Sequence, residues 1–252
     1  MRAVGMFGAL RRRLGAVKRR VLGERRVLPR SHYQEVWDAQ ARTEAAAKVA
    51  VAGYEDEARL RRTAEQTLKF LQDSVGVRES DVVLEIGAGV GRVGRVLAPL
   101  CREWVGADVS AHMLRHLRQR LADLPNVRTV LLNGYDLGPI ATASADLVYC
   151  TVVFMHLDEW ERYNYVREAF RVLRPGGRLF ADNFNLLSDE GWAMFEEVRK
   201  IPPRRRPAHA SKSSTPQELE VYFRRAGFEQ IGQATDGLWV MTWGRKPGAA
   251  GS

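Results

Sequence analysis

Long apolar runs are missing from this chain of 252 residues: nowhere do ~18 consecutive apolar residues occur, so no segment is fit to cross a bilayer as a helix. Cysteine is nearly absent as well. Its two occurrences, Cys101 and Cys150, lie far apart and without metal-ligand spacing, which excludes a disulfide framework or a zinc site built on paired thiolates. Cys150 falls in an apolar stretch, where a thiol behaves as a small hydrophobe. The amino-terminal residues lack the long apolar centre of a secretory signal. These absences favour a reducing cytoplasm as the compartment.

Acid is what residues 1–30 lack. Ten Arg and Lys there face Glu24 alone, which accounts for the whole net charge of +9, whereas the rest of the chain holds 29 basic and 29 acidic side chains. A neutral body argues against a general electrostatic funnel for nucleic acid. In the basic arm, Val4, Phe7, Leu10, Leu14, Val17 and Val21 recur at spacings of three and four. A basic amphipathic helix of that kind suits an anionic membrane surface, with the protein peripheral there. Four glycines in the same arm weaken a helix and favour a solvated extension. Both readings stay open on sequence alone.

What the chain does hold is 45% hydrophobic residues, enough for a substantial core, and one segment of high information, Val82 to Ala98. The run Val82, Val83, Leu84, Ile86 reads as a buried parallel strand. It breaks into Gly87-Ala88-Gly89-Val90-Gly91 and then enters a helical stretch. Glycine permits tight turning and close approach to a ligand, and a helix start offers free N–H groups. The loop is therefore of the nucleotide-binding type. Gly89-x-Gly91-x-x-Gly94 formally matches a dinucleotide fingerprint, with the acidic Asp108 about 20 residues on. Glu85 points elsewhere, because a dinucleotide needs no carboxylate at the end of this strand. Burying that acid costs several kcal/mol unless it is paired.

The pattern Glu85-x-Gly87-x-Gly89-x-Gly91 resembles the S-adenosylmethionine (SAM) loop of class I methyltransferases, and the resemblance runs over roughly residues 75–245. It implies an α/β fold: a doubly wound, seven-stranded, mainly parallel sheet of the Rossmann-like methyltransferase type, with an antiparallel last strand. It also implies a cofactor-binding set of Glu85, Gly87, Ala88, Gly89, Gly91, Asp108, Val109, Met113, Asp136, Leu137 and Thr151. Asp108, ending the strand EWVGAD, would accept from both ribose hydroxyls. Met113, in the helix capped by Ser110, would lie over the adenine or else serve as core. The Asp136–Leu137 corner would read the adenine through an acid and a backbone N–H. A helix over Glu159–Leu173, closed by Arg174-Pro175-Gly176-Gly177 before the strand RLFADNF, resembles a late motif of the same family. Thr215 and Pro216 start a further helix that ends at Gly227. The strands FEQIGQ and LWVMTWGRK, turned at Asp236-Gly237, then form a terminal hairpin.

The expected organisation is a basic arm (1–30), a helical cap (31–76) and a SAM-binding domain (77–246). In related enzymes such a cap shapes the acceptor pocket, so Trp37 and Tyr54 are candidates for it, or they pack on the sheet. Methyl transfer needs the acceptor held in line at near-attack distance, and a hydroxyl acceptor must also lose a proton. His156, just past the fourth strand DLVYCTVV, is the candidate general base. Asp158 reads as a helix N-cap. Asp182-Asn183 resembles half of the magnesium site of catechol-type O-methyltransferases. Thr151-Val152-Val153 stands where the partner acid belongs, so no metal is expected, and Asn183 and Asn185 are assigned to the acceptor pocket. Arg204, Arg205 and Arg206 either clamp an anionic acceptor or lie on a solvated loop. The absence of an Asn-Pro-Pro-Tyr-type motif speaks against a nucleic-acid base as acceptor. The function expected is transfer of a methyl group from SAM to a hydroxyl of a small molecule or sugar unit. The alternatives are N- or C-methylation and a non-catalytic SAM-binding regulatory protein.

Overall fold

The computed structural model describes residues 32–207 and 209–248; the basic arm lies outside them. Residues from Tyr33 onward form one compact unit. It begins with three helices, α1 (His32–Gln40), α2 (Glu44–Ala52) and α3 (Glu57–Ser74). Their breaks are local. The Thr43 hydroxyl accepts from Ala46 N–H at 3.2 Å to start α2, and Gly53 ends it at φ +80°. Asp56 then accepts from Arg59 N–H at 2.7 Å to start α3.

The α/β body follows as β1 (Val82–Ile86), α4 (Gly94–Leu97), β2 (Glu103–Asp108), α5 (Ala111–Arg120), β3 (Val127–Leu131), β4 (Ala145–Cys150) and α6 (Glu159–Val172). It continues through β5 (Leu173–Asn185), α7 (Asp189–Lys200), β6 (Ser213–Ser214), α8 (Pro216–Ala226), β7 (Glu229–Asp236) and β8 (Trp239–Arg245). The strand order is β3-β2-β1-β4-β5-β8-β7, and the two-residue β6 pairs with the end of β5. Strands β1 to β5 are parallel, while β8 runs antiparallel to both its neighbours. This is the doubly wound, mainly parallel sheet expected from the sequence. The order reverses between β1 and β4, which opens a crevice at their carboxyl ends.

Alternation along the strands divides the core into two faces. Leu84, Val148 and Leu179 pack with Val166 of α6 and Phe223 of α8. Val83, Leu147, Tyr149 and Phe180 pack with Leu97, Trp104 and Leu117 on the other face. The cap helices are tied to the body by charge. Arg120 of α5 donates to Glu57 at 2.5 Å and to the Val90 carbonyl at 3.1 Å, and Lys48 pairs with Glu57 at 2.6 Å. The Ser110 hydroxyl donates to Asp38 of α1 at 2.5 Å.

The structure departs from the sequence expectation in two places that matter for the site. The helical stretch expected after the glycine loop is short and starts late. Turns continue to Val93, and α4 is a single turn, followed by a 3-10 turn containing Pro99. A Cβ at Gly94 would sit 2.4 Å from the Trp104 ring, so this short helix packs directly on β2. Strand β4 also stops at Cys150, because Val152 adopts φ +62°, a left-handed conformation costly for a β-branched residue.

Candidate active site

A cavity of about 900 Å³, open mouth included, runs along the carboxyl ends of β1, β2 and β4. Its floor is the glycine loop. Gly87 and Ala88 donate their N–H groups to the Ala107 carbonyl at 2.8 and 3.0 Å, which fastens the loop to β2. Gly87 and Gly89 have φ of +74° and +52°. A Cβ on Gly87 would lie 2.2 Å from Val153, and one on Gly89 2.6 Å from Val51 of α2, so side chains are excluded there by two neighbours as well as by backbone conformation.

Two buried carboxyls flank this floor. Glu85 Oε2 accepts from the Tyr149 hydroxyl at 2.5 Å, and that hydroxyl accepts from Trp104 Nε1 at 3.0 Å. Burial pushes the Glu85 carboxyl up to about 8, with the Tyr149 hydrogen bond and the Arg92 charge acting the other way. Asp108 accepts from Gly89 N–H at 2.8 Å and from Ser110 N–H at 2.9 Å. Burial lifts it to about 6 against those hydrogen bonds. Both acids end neighbouring strands and line the cavity.

Three observations fit a ligand that carries an ammonium group and ribose hydroxyls. Glu85 Oε1 has no partner among the described residues and belongs to a carboxyl that a nearby cation would ionise. Asp108 retains acceptor capacity beside the backbone bonds. The Thr151 hydroxyl, buried and lining the cavity, has no hydrogen-bond partner among the described residues. Val109 and Met113 also line the cavity, and Met113 is buried against Val90 and Ala47, so it is core and wall at once.

Not every expected residue is brought here. Gly91 does not line the cavity; a Cβ on it would meet Leu121 at 2.9 Å, so it serves the packing of α5. Asp136 and Leu137 also lie off the cavity. Asn133 closes a tight turn by accepting from Tyr135 and Asp136 N–H at 2.8 and 3.0 Å, and the Leu137 N–H is taken by Glu168 at 3.0 Å. The corner that reaches the cavity is Leu132 and Gly134 instead.

The wall opposite the loop comes from α1, whose Tyr33 and Trp37 face it. The Trp37 ring meets the His156 imidazole edge-on at 4.8 Å between centroids. His156 Nδ1 lies 2.8 Å from the His209 carbonyl oxygen. A carbonyl cannot donate, so Nδ1 carries the hydrogen and Nε2 the lone pair. Burial lowers the imidazole to about 4, which keeps it neutral. Asp158, two residues on, completes a capping box with Glu161 and starts α6.

A second cavity, of about 960 Å³ with its open mouth, adjoins the first and shares Val51, Arg92, Thr151 and Val152 with it. Tyr54, Thr67 and Phe70 of the cap side face Phe180, Asp182 and Trp239 of the sheet across it. Asp182 accepts from Val152 N–H at 2.7 Å, the bond that holds the strained turn after β4. Burial raises this carboxyl to about 7. Arg92, which sequence reading passed over, reaches into both cavities and donates to Thr67 at 3.3 Å. Its place inside the glycine pattern was the available signal.

Asn183 and Asn185 are not in either cavity. Asn183 donates to the Ser214 hydroxyl at 2.7 Å and Asn185 accepts from Leu187 N–H at 3.1 Å, so both fix the pairing of β5 with β6 and the turn beyond. Arg204, Arg205 and Arg206 are exposed and line neither cavity. Among the described residues no group of three potential ligands is placed to hold a metal ion.

Residues 84–181 match the family described as methyltransferase domain. The chain is 32% identical over 127 residues to the demethylmenaquinone methyltransferase of Tropheryma whipplei, covering 47% of this chain and 52% of that protein. It is 33% identical over 147 residues to a probable S-adenosylmethionine-dependent methyltransferase of Mycolicibacterium smegmatis, covering 58% and 51%. The chain thus spans about half the length of these curated relatives. A solved SAM-dependent methyltransferase from Thermotoga maritima, described as a possible histamine N-methyltransferase, superimposes with a TM-score of 0.61 at 19% identity, over 81% of this chain and all of that one. That likeness is one of fold.

Proposed function

We propose, from the methyltransferase domain that this chain carries with SAM as its methyl donor, that the whole protein methylates a hydroxyl of a small-molecule acceptor held in the second cavity. SAM supplies an electrophilic methyl on a sulfonium when bound. Glu85 and Arg92 would then hold the two charged groups of its amino-acid end, and Asp108 its ribose. The observation that carries the reading is the meeting of two cavities at Thr151 and Val152, one lined by buried carboxyls suited to a cation and the other by mixed polar and aromatic groups. The acceptor oxygen forms a bond to the methyl carbon as the carbon–sulfur bond breaks, and the hydroxyl proton passes to the chain. His156 Nε2 is the proposed recipient: it is neutral, its tautomer is fixed by His209, and the ring lines the donor cavity. The strained turn at Val152 keeps the wall of both cavities in place, and the cap excludes water from the transfer.

A second reading of the base rests on Asp182. It faces the acceptor cavity directly, and a carboxyl near 7 is better matched to neutral pH than an imidazole near 4. Turnover of His156→Ala and Asp182→Asn against an acceptor found in extracts separates the two. The base is the residue whose loss cuts kcat by ~100-fold or more with SAH affinity retained. Equal retention of kcat in both variants would remove acid–base help, and hydroxyl methylation with it. One relative's name gives demethylmenaquinone as what it methylates, and the other's gives no acceptor. Peripheral attachment to an anionic membrane through residues 1–30 is proposed alongside, supported by the charge of that arm. Vesicle binding that survives its deletion would end that idea.

A further inference from the structure

The end of the sheet opposite the candidate active site holds another charged cavity, of about 910 Å³ with its open mouth. Five arginines line it, Arg78, Arg102, Arg174, Arg178 and Arg245, against two acids, Asp81 and Asp146. We propose that this cavity binds a phosphate or diphosphate group.

The acids are already engaged in building the site. Asp81 accepts from the Arg78 N–H at 2.8 Å and from Arg178 Nη2 at 2.6 Å. Asp146 accepts from the Val82 N–H at 2.8 Å and from Arg174 Nη1 at 2.6 Å, while Arg102 stands 3.9 Å from the same oxygen. The Arg245 side chain donates, among the described residues, only to a carbonyl, that of Gly176, at 3.2 Å. Among the described residues the Arg78 guanidinium has no acid partner. Positive charge is therefore in excess around a concave space.

Arg178 adds an independent reason. Its side chain is only 9% exposed, and both Nε and Nη1 are buried with no hydrogen-bond partner among the described residues. Guanidinium N–H groups left without acceptors in a protein are costly, and an oxyanion in the same cavity brings acceptors and negative charge to the cluster. Several guanidinium forks around one recess match a tetrahedral, multiply charged oxyanion better than a single carboxylate. The recess is local to the strand ends and not a stripe along the surface, which favours a small anionic group over a nucleic-acid backbone. Strand β1 separates Asp81 of the recess from Glu85 by about 13 Å, from four residues at ~3.3 Å each. Its occupancy is thus independent of SAM.

The test is calorimetric titration of the full chain with sodium pyrophosphate at fixed ionic strength, using wild type and Arg78→Ala/Arg245→Ala. Both of these arginines are exposed, and thermal unfolding checks that the variant folds; Arg102→Ala serves if it does not. The expected result is saturable one-site binding that weakens at least tenfold in the variant, with SAH affinity unchanged. A nucleoside diphosphate binding tighter than pyrophosphate identifies an esterified ligand, and the reverse order identifies the free anion. Non-saturable binding, or equal binding by variant and wild type, overturns the proposal and points to the basic arm. Binding of an RNA oligomer or anionic vesicles without binding of pyrophosphate overturns it too.

Discussion

Raising the pH from 6 to 8 should tighten the binding of S-adenosylhomocysteine (SAH), which keeps the ammonium group of SAM. In the ligand-free protein the Glu85 carboxyl is held near 8 by burial, so at pH 6 it is mostly neutral. A cationic partner needs it ionised. Each pH unit below 8 then costs a factor of ten, or about 1.36 kcal/mol, and between pH 6 and 8 the affinity should rise about 50-fold before levelling off. Calorimetry in buffers of different ionisation enthalpy should show nearly one proton released per SAH bound at pH 7. The same shift has a sign for stability. The folded protein keeps a proton on Glu85 that the unfolded chain loses above its usual carboxylate value. The ligand-free fold should therefore lose stability as pH climbs from about 4.5 to 8, and SAH should restore it. Glu85→Gln should flatten the SAH affinity between pH 7 and 8, while the stability curve keeps the slopes that Asp108 and Asp182 contribute. An affinity flat from pH 6 to 8, with no proton release, would refute the pairing of Glu85 with the ammonium.

The other expectations concern the same machinery. Tyr149→Phe removes the hydrogen bond that holds the Glu85 carboxyl down, so the midpoint of the SAH pH profile should move above 8. Gly89→Ala forces a Cβ to within 2.6 Å of Val51 at φ +52°, and should weaken SAH by tenfold or more with the sheet intact by circular dichroism. Glu57, pulled to about 2 chiefly by its hydrogen bond from Arg120, contributes stability above the usual carboxylate value that is lost as pH falls toward 2. Because Glu57 is largely exposed, Glu57→Gln should cost no more than ~1 kcal/mol at pH 7, read from denaturant unfolding. Asp182→Asn keeps an acceptor for the Val152 N–H, so it should fold normally. If Asp182 is the base, the variant should lose a kcat limb near pH 7.

Period and punctuation carried most of the fold. The apolar run before the glycines, the acid ending β2, the Arg174–Gly177 break and the Asp236-Gly237 turn each act within a few residues, so they are readable in one dimension. Ser110, Asp158 and Thr215 as helix caps are local in the same way. Local reading failed where distant chain decides. Gly94 ends up against the Trp104 ring, which no spacing announces, and the helical stretch after the glycines is a single turn. Asn183 and Asn185 looked like pocket residues until β6, two residues long, arrived to pair with their strand. Asp136 was displaced from the cavity by an Asn133-anchored turn. Arg92 and Asp182 gained their place only when α3 and the terminal hairpin closed the second cavity.

The central claim is that this chain moves a methyl group, beyond merely binding the molecule that carries it. The direct measurement is transfer of isotopic label from methyl-labelled SAM into small-molecule extracts, with SAH counted in the same samples, for wild type and Asp108→Ala. The account expects label in a base-stable product, equal in amount to the SAH formed, and none with the variant. Tight SAH binding by the wild type, with no labelled product and no SAH formed from SAM across acceptor-rich extracts, would contradict it and leave a SAM-binding regulator.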